Sequence, residues 1–328
     1  MTLQGEAIVR TLGQHDVVTR VRRAIEREQY SENAVIVAAV SGGRDSMALM
    51  VALAVLSEQQ VLGRIVVAHV HHHRRVAADA ELETVKRAAA DFGLSFEIAH
   101  LDGDPKATPA DLRDARYEEL AKIARAQDAV AVATGHQAED QLETVLLAIV
   151  RGAGPRGLVG MRSRRLLGGG IDLFRPMLEV SRGAAAELCN AADLCWCDDP
   201  TNVDPSTLRG VLRRDVMPAI AGMRAGVATR LSESTPLRTA AADALDRACL
   251  TPINDQWSRQ TLAGLDDGLR RASVYHAAAR ICDADALSSS GVQAVSAAII
   301  DHREHRRVFE LGGNIVCIVE AQWVRIER

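Results

Sequence analysis

Two short stretches of this 328-residue chain carry side chains whose types and spacing suit chemistry on a phosphate. The first is Ser41-Gly42-Gly43-Arg44-Asp45-Ser46, set between a β-branched, Ala-rich run at 35–40 and an apolar run at 46–56. Glycine tolerates positive φ and lets the backbone approach a ligand, and the free N–H groups and dipole at a helix start favour an anion. The turn therefore reads as an anion cradle. It is not a Walker A loop, because no Lys-Ser/Thr pair follows a glycine at the required spacing, and it lacks the third glycine of the dinucleotide fingerprint. The second stretch, ATGHQAEDQLETVLL at 133–147, delivers His136 at a strand end and then Glu139, Asp140 and Glu143 along a helix. Spacings of three and four put these carboxylates on one face. Such a face can hold Mg²⁺ against phosphate oxygens, receive an amine and take its proton, or simply complement the helix dipole. Spacing leaves all three open, and His136 is equally a catalytic group or a polar contact at the helix start.

The elements that must position these residues alternate. Strand patterns at 35–40, 64–70, 95–101 and 129–134 are interleaved with helical patterns at 46–56, 77–92, 109–126 and 138–150, with Pro109 suited to a first turn. That order predicts an α/β fold with a doubly wound, mostly parallel sheet, whose ligands sit beyond the carboxyl ends of the strands. Ser41 and His136 both fall at such ends. The Gly- and Arg-rich stretch 152–170 reads as a loop across that face, and 171–196 as a further strand and helix. Beyond about residue 220 the pattern changes to Ala-rich helices, 227–250 and 266–283 among them, ending in short strands such as 314–319. Two domains are expected: a catalytic one over 1–220 and a smaller, mainly helical one over 221–328.

Composition narrows the classes. Hydrophobic residues make up 48% of the chain, enough for a core in each domain, and six irregularly spaced cysteines do not make a disulfide framework. Cys195 and Cys197 form only a Cys-x-Cys, which reads as packed thiols rather than a metal site. No apolar run of signal-peptide or membrane-spanning character occurs, so a cytoplasmic protein with no membrane partner is expected. The net charge of −4 is no global sign of nucleic acid. Locally, however, Arg151, Arg156, Arg162, Arg164, Arg165, Arg175 and Arg182 share a stretch whose only acids are Asp172 and Glu179. A polyanion would dock there, although composition alone favours an ordinary solvated basic face.

SGGRDS at 41–46, GHQAEDQLETVLL at 135–147, RGAGPRGLVGM at 151–161 and WCDDPTN at 196–202 stand in the order and spacing of the tRNA(Ile)-lysidine synthetases. That family lies within the PP-loop ATP pyrophosphatases. LRDARYEEL at 112–120 and FRPMLEVSR at 174–182 extend a resemblance that covers roughly the first two-thirds of the chain. It implies ATP and Mg²⁺, free L-lysine, and a tRNA(Ile) with a CAU anticodon. The wobble cytosine O2 attacks the α-phosphate, releasing pyrophosphate; the lysine ε-amine then attacks C2 and AMP departs. Ser41 to Ser46 would hold the pyrophosphate, with Asp45 and Asp140 toward the metal. A lysine amine has a pKa about three units above neutral, so a carboxylate must take its proton before it attacks. Asp140 and Glu143 are the candidates, with His136 beside them. By the same resemblance, Arg116 contacts nucleotide or substrate, while Arg151, Arg209 and Arg213 face tRNA or reaction intermediates. Spacing alone would also allow Arg116 a helix-surface ion pair with Glu118 or Glu119. A homo-oligomer is left open.

The chain departs from the family pattern in three places. Glu139-Asp140 replaces Asp-Asp, HVHHHRR at 69–75 replaces His-Val-Asn-His-Gly-Leu-Arg, and Arg209-Gly210 replaces Arg-Asn. The histidines at 69, 71, 72 and 73 invite a metal reading, which the alternation of side chains along a strand opposes. Rival readings are a PP-loop tRNA thiolase, disfavoured by scattered and mostly C-terminal cysteines, a carboxamide synthetase, and a non-catalytic nucleotide- or tRNA-binding module.

Overall fold

Each strand-like run of the first half of the chain becomes a strand of one sheet, whose order decides where a ligand can sit. The computed structural model describes residues 10–71, 77–101, 108–197, 207–282, 287–301 and 303–328. The chain divides into two compact units, Met1–Leu146 with Gly160–Ser234, and Leu147–Val159 with Thr235–Arg328.

In the first unit, β1 (Ile36–Ala39), β2 (Ile65–His71), β3 (Ser95–His100), β4 (Ala131–Ala133) and β6 (Ile171–Phe174) run parallel. The sheet order is β3-β2-β1-β4-β6-β5, and only β5 (Arg164–Gly168) is antiparallel, paired with β6. The order reverses at β1, which has β2 on one side and β4 on the other, so a crevice opens above their carboxyl ends. Helices α1 (Asp16–Arg27), α2 (Arg44–Glu58), α3 (Ala77–Asp91), α4 (Pro109–Ala126), α5 (Ala138–Val150) and α6 (Arg182–Ala191) flank it. Every residue of α2 from Ser46 to Leu56 is buried, which explains its all-round apolar sequence. Fully buried Leu49, Leu53, Met47 and Met50 lock it to the sheet, each burial contributing about 1.5–3 kcal/mol. The N-terminus of this helix is thus fixed in place.

Two expectations change here. The stretch 152–170 is not one loop: β5 lies within it, and Gly168, Gly169 and Gly170 all take positive φ to turn the chain back into β6. The 227–250 pattern also breaks, into α9 (Val227–Glu233) and α10 (Thr235–Ala248), preceded in the chain by α7 (Leu208–Val211), a π-helical turn (Leu212–Val216) and α8 (Met217–Met223).

The second unit has its own core. α11 (Arg259–Ala263), α12 (Asp267–Ala278) and α13 (Ser289–Ile300) accompany an antiparallel sheet of β7 (Gln256–Ser258), β10 (Trp323–Glu327), β9 (Ile315–Val319) and β8 (Arg307–Gly312). Trp257, Leu262, Val295, Leu311 and Val324 fill it. Arg259 is buried and donates to the carbonyls of Ala298, Ile299, Asp301, Arg303 and Glu320, satisfying the end of α13. Residues 147–159 belong to this unit through Arg156, which pairs with Asp243 at 2.7 Å and with Asp246, and through Arg238, which donates to Leu158 O at 3.1 Å.

Candidate active site

The cradle is built by its own side chains. Gly42 takes φ +92°, which turns the chain from β1 toward α2. Ser46 Oγ donates to Gly43 O at 2.8 Å and accepts from the Ser41 N–H at 3.1 Å, closing the turn on itself. Gly43 occupies the cap position of α2 with no side chain bonded to the first-turn amides, so those donors stay available to an anion. At its base, buried His69 on β2 donates from Nδ1 to Val40 O at 2.8 Å. This bond ties the residue before the turn to the neighbouring strand.

Gly135 brings the second motif against the first. A Cβ there would lie 2.9 Å from Asp45 C and O, so only glycine lets the segment after β4 reach the start of α2. Asp140 consequently feels the Asp45 carboxylate. Burial is the main reason the Asp140 carboxyl is raised above its ordinary range, with Asp45 adding to it; the Gln137 N–H, 3.1 Å from Oδ2, and the guanidiniums of Arg182 and Arg213 oppose it. Those guanidiniums lie 3.7 and 3.6 Å from Oδ1. Glu139 turns elsewhere, accepting from the Arg182 N–H at 3.0 Å at the first turn of α6. The longer side chain at this departure from the family pattern is used as a helix cap.

Glu143 is fully buried, and its two oxygens take the Nε groups of Arg209 and Arg213. These arginines stand four apart across α7 and the π-helical turn, and Gly210 between them is buried with its N–H on Thr207 Oγ1. His136 meets Thr134 Oγ1 through Nδ1 at 2.8 Å. Burial first, then the guanidiniums of Arg175, Arg116, Arg209 and Arg113, push it down to about 3, so it is neutral near pH 7. Arg116 lies with its guanidinium 5.6 Å from the Tyr117 ring centre, and Glu118 and Glu119 pair instead with Lys122. Arg151 stands exposed at the end of α5, in the other unit.

Some features escaped sequence reasoning. The seven arginines of 151–182 do not share one solvated face: Arg156 and Arg164 are ion-paired, Arg164 with Asp172 at 2.7 Å, and Arg175 is buried. The cysteines are less scattered than their numbering suggests. The Cys197 N–H donates to Gly42 O at 2.9 Å, and Cys189 Sγ lies 3.5 Å from Arg44 O. Burial pushes the Cys189 thiol up to about 12, which leaves it inert as a nucleophile. Cys195 is exposed rather than packed, because Trp196 takes the inward position in that irregular segment. Of the four histidines considered as metal ligands, His72 and His73 lie outside the described residues; so does most of the WCDDPTN motif. Among the described residues no group of three or more His, Cys, Asp or Glu side chains is placed to enclose a metal.

The Asp45–Asp140 pair suits Mg²⁺ nonetheless. Asp45, in the first turn of α2, offers a hard oxygen donor beside the anion cradle, and Mg²⁺ commonly takes one or two carboxylates and completes its shell with water and phosphate; Asp140 is near enough to feel the Asp45 charge.

A cradle at β1, carboxylates beyond β4 and a sheet that reverses between them define a nucleotide-handling α/β domain, and residues 14–220 match the PP-loop domain family. The fold is shared with the U34-tRNA thiolase NcsA of Methanococcus maripaludis, at a TM-score of 0.56 and 14% identity over 71% of this chain and 78% of that one. Sequence makes the assignment narrower. The chain is 34% identical over 312 residues to the tRNA(Ile)-lysidine synthase of Salinispora arenicola, covering 90% of this chain and 92% of that protein. It is 37% identical over 244 residues to that of Salinispora tropica, covering 72% of each. The chain belongs to the tRNA(Ile)-lysidine synthase family.

Proposed function

We propose that this chain ligates free L-lysine to C2 of the wobble cytidine of a tRNA(Ile) with a CAU anticodon, consuming ATP through an adenylated cytidine and releasing pyrophosphate and AMP. The observation that carries the reading is the junction at Gly135, which sets a carboxylate cluster against a phosphate cradle. Donors fixed before charge develops are what a departing pyrophosphate needs, and the amides of 42–46 are fixed by Ser46 and by burial of α2. Bound Mg²⁺, held by Asp45, would neutralise phosphate charge. Asp140 takes the proton of the lysine amine: its carboxyl, raised by burial, is a better base than an ordinary aspartate. Glu143 keeps Arg209 and Arg213 pointed at the site, where they face the anionic intermediates. His136, neutral and surrounded by guanidiniums, orients rather than shuttles protons. The setting is the cytoplasm, where lysine, ATP and tRNA meet.

Incubation with ATP, Mg²⁺ and radiolabelled lysine, using transcripts with a CAU or a GAU anticodon, tests this directly. Label should enter the CAU transcript alone, with AMP formed in step. AMP formation with sulfur or ammonia as acceptor, and no label in RNA, would replace this reading with the thiolase or carboxamide one.

A further inference from the structure

Positive charge gathers at one place that the nucleotide cradle does not use. Arg175 follows β6 directly, at the carboxyl end of the sheet, and is only 8% exposed. Its N–H donates to Ser163 O at 2.8 Å and its guanidinium to Arg162 O at 2.8 Å, while Nε has no hydrogen-bond partner among the described residues. Arg165, on the adjacent strand β5, lies 5.5 Å from the centre of the Tyr117 ring, and Arg116 lies 5.6 Å from it. Tyr117 in turn accepts from Arg175, and Arg113 and Arg165 are near enough to disfavour the Arg175 charge. Four guanidiniums from α4, β5 and the end of β6 therefore gather about Tyr117 and Arg175, and three of them, Arg113, Arg116 and Arg175, also act on His136. Among the described residues, the groups that act most strongly on Arg175 are Tyr117 and other guanidiniums rather than a carboxylate. Like charges held together cost stability, and an anion arriving there relieves that cost.

The geometry also selects the anion. Guanidiniums approach the Tyr117 ring, which is 7% exposed, so it offers no open face for a base to stack on. What remains is a fork of donors, the arrangement that matches phosphate oxygens. ATP's β- and γ-phosphates already have the cradle at 41–46. We infer that Arg113, Arg165 and Arg175, with Arg116, bind a backbone phosphodiester of the acceptor RNA next to the base being modified. This rests on the proposed function, since it takes the acceptor to be a polynucleotide. Holding that phosphate at the mouth of the crevice fixes the register of the strand without reading its bases.

The test is equilibrium binding of a CAU anticodon stem-loop RNA to the full chain across a salt series, alongside ATP–pyrophosphate exchange. The double variant Arg113→Gln/Arg165→Gln removes two exposed charges and leaves the core intact; Arg306→Gln in the second unit is the charge control. Loss of one phosphate contact should lower the salt slope by about 0.7–0.9 and leave the KM for ATP unchanged. RNAs with a single methylphosphonate near the wobble position should match the variant's loss at one position, and variant and neutral phosphate should then be non-additive. A raised KM for ATP with an unchanged slope assigns the cluster to the nucleotide and overturns the inference. Slope and KM both at the control's values return it to an ordinary basic face. Absence of RNA binding by the unaltered chain would sink the proposed function itself, an outcome distinct from both.

Discussion

Asp140 is a carboxylate whose burial raises its proton affinity, which suits the base proposed above and is also a burden on the fold. Its folded-state pKa lies above the unfolded one, so its contribution to stability is complete below the unfolded value and is lost as pH rises through the folded value. Asp140→Asn should remove that loss, giving a urea midpoint that changes less with pH across this window than the parent's. The same substitution should slow lysine transfer by about 10²–10⁴-fold while sparing ATP binding, measured in single turnover. Lysine transfer by the parent should fall on the acid side at a pH above the ordinary aspartate value of about 3.9. That limb belongs to Asp140, because His136, pushed down to about 3, titrates below it. An acid limb that survives in the Asn variant would assign it to another group. Sequence spacing put Asp140 and Glu143 on one face and offered both as bases; burial and two guanidiniums give them different work.

Elements meet at glycines where a side chain would hold them apart. Gly135→Ala places a methyl 2.9 Å from the backbone of Asp45, which no rotamer change relieves. The expected result is a loss of about 1–3 kcal/mol in unfolding free energy and a loss of activity, since the carboxylates withdraw from the cradle. A crystal structure or hydrogen exchange at 41–46 would locate the displacement. Gly160 makes the second such junction. It takes φ +79°, and a Cβ would sit 2.7 Å from Gln141 Oε1, which accepts from the Met161 N–H at 2.7 Å while Gln141 Nε2 donates to Met161 O at 3.0 Å. Of the glycines in the RGAGPRGLVGM run, Gly160 is the one that must fit against α5. The π-helical turn at Leu212–Val216 does related work, carrying Arg213 to the same carboxylate as Arg209.

At the scale of the whole molecule, two cores support different tasks. The first unit holds the cradle and the carboxylates; the second has a separate core and contains Arg151. Ligands of the cradle should stabilise the first unit alone. A non-hydrolysable ATP analogue with Mg²⁺ at 100 times its Kd should add about 2.7 kcal/mol to the first unit and protect its amides from exchange. The amides of β8, β9 and β10 should exchange at an unchanged rate. Equal protection in both units would mean that they open together. No helix among the described residues is long and apolar enough to cross a membrane.

The alternation of strands and helices, the Gly-Gly turn at the start of α2 and the carboxylate-bearing face of α5 were all legible in the chain, because each depends on periodicity or on local backbone freedom within some fifteen residues. The antiparallel β5 was hidden in a stretch whose glycines and arginines resemble a loop, since its strand character comes from pairing with β6. Likewise, the separation of seven arginines into paired, buried and clustered ones depends on partners far away in sequence. Local propensities and spacing specified which groups the protein carries. Tertiary contacts decided which carboxylate is occupied, which is raised, and where positive charge gathers, because desolvation and Coulomb terms act through space.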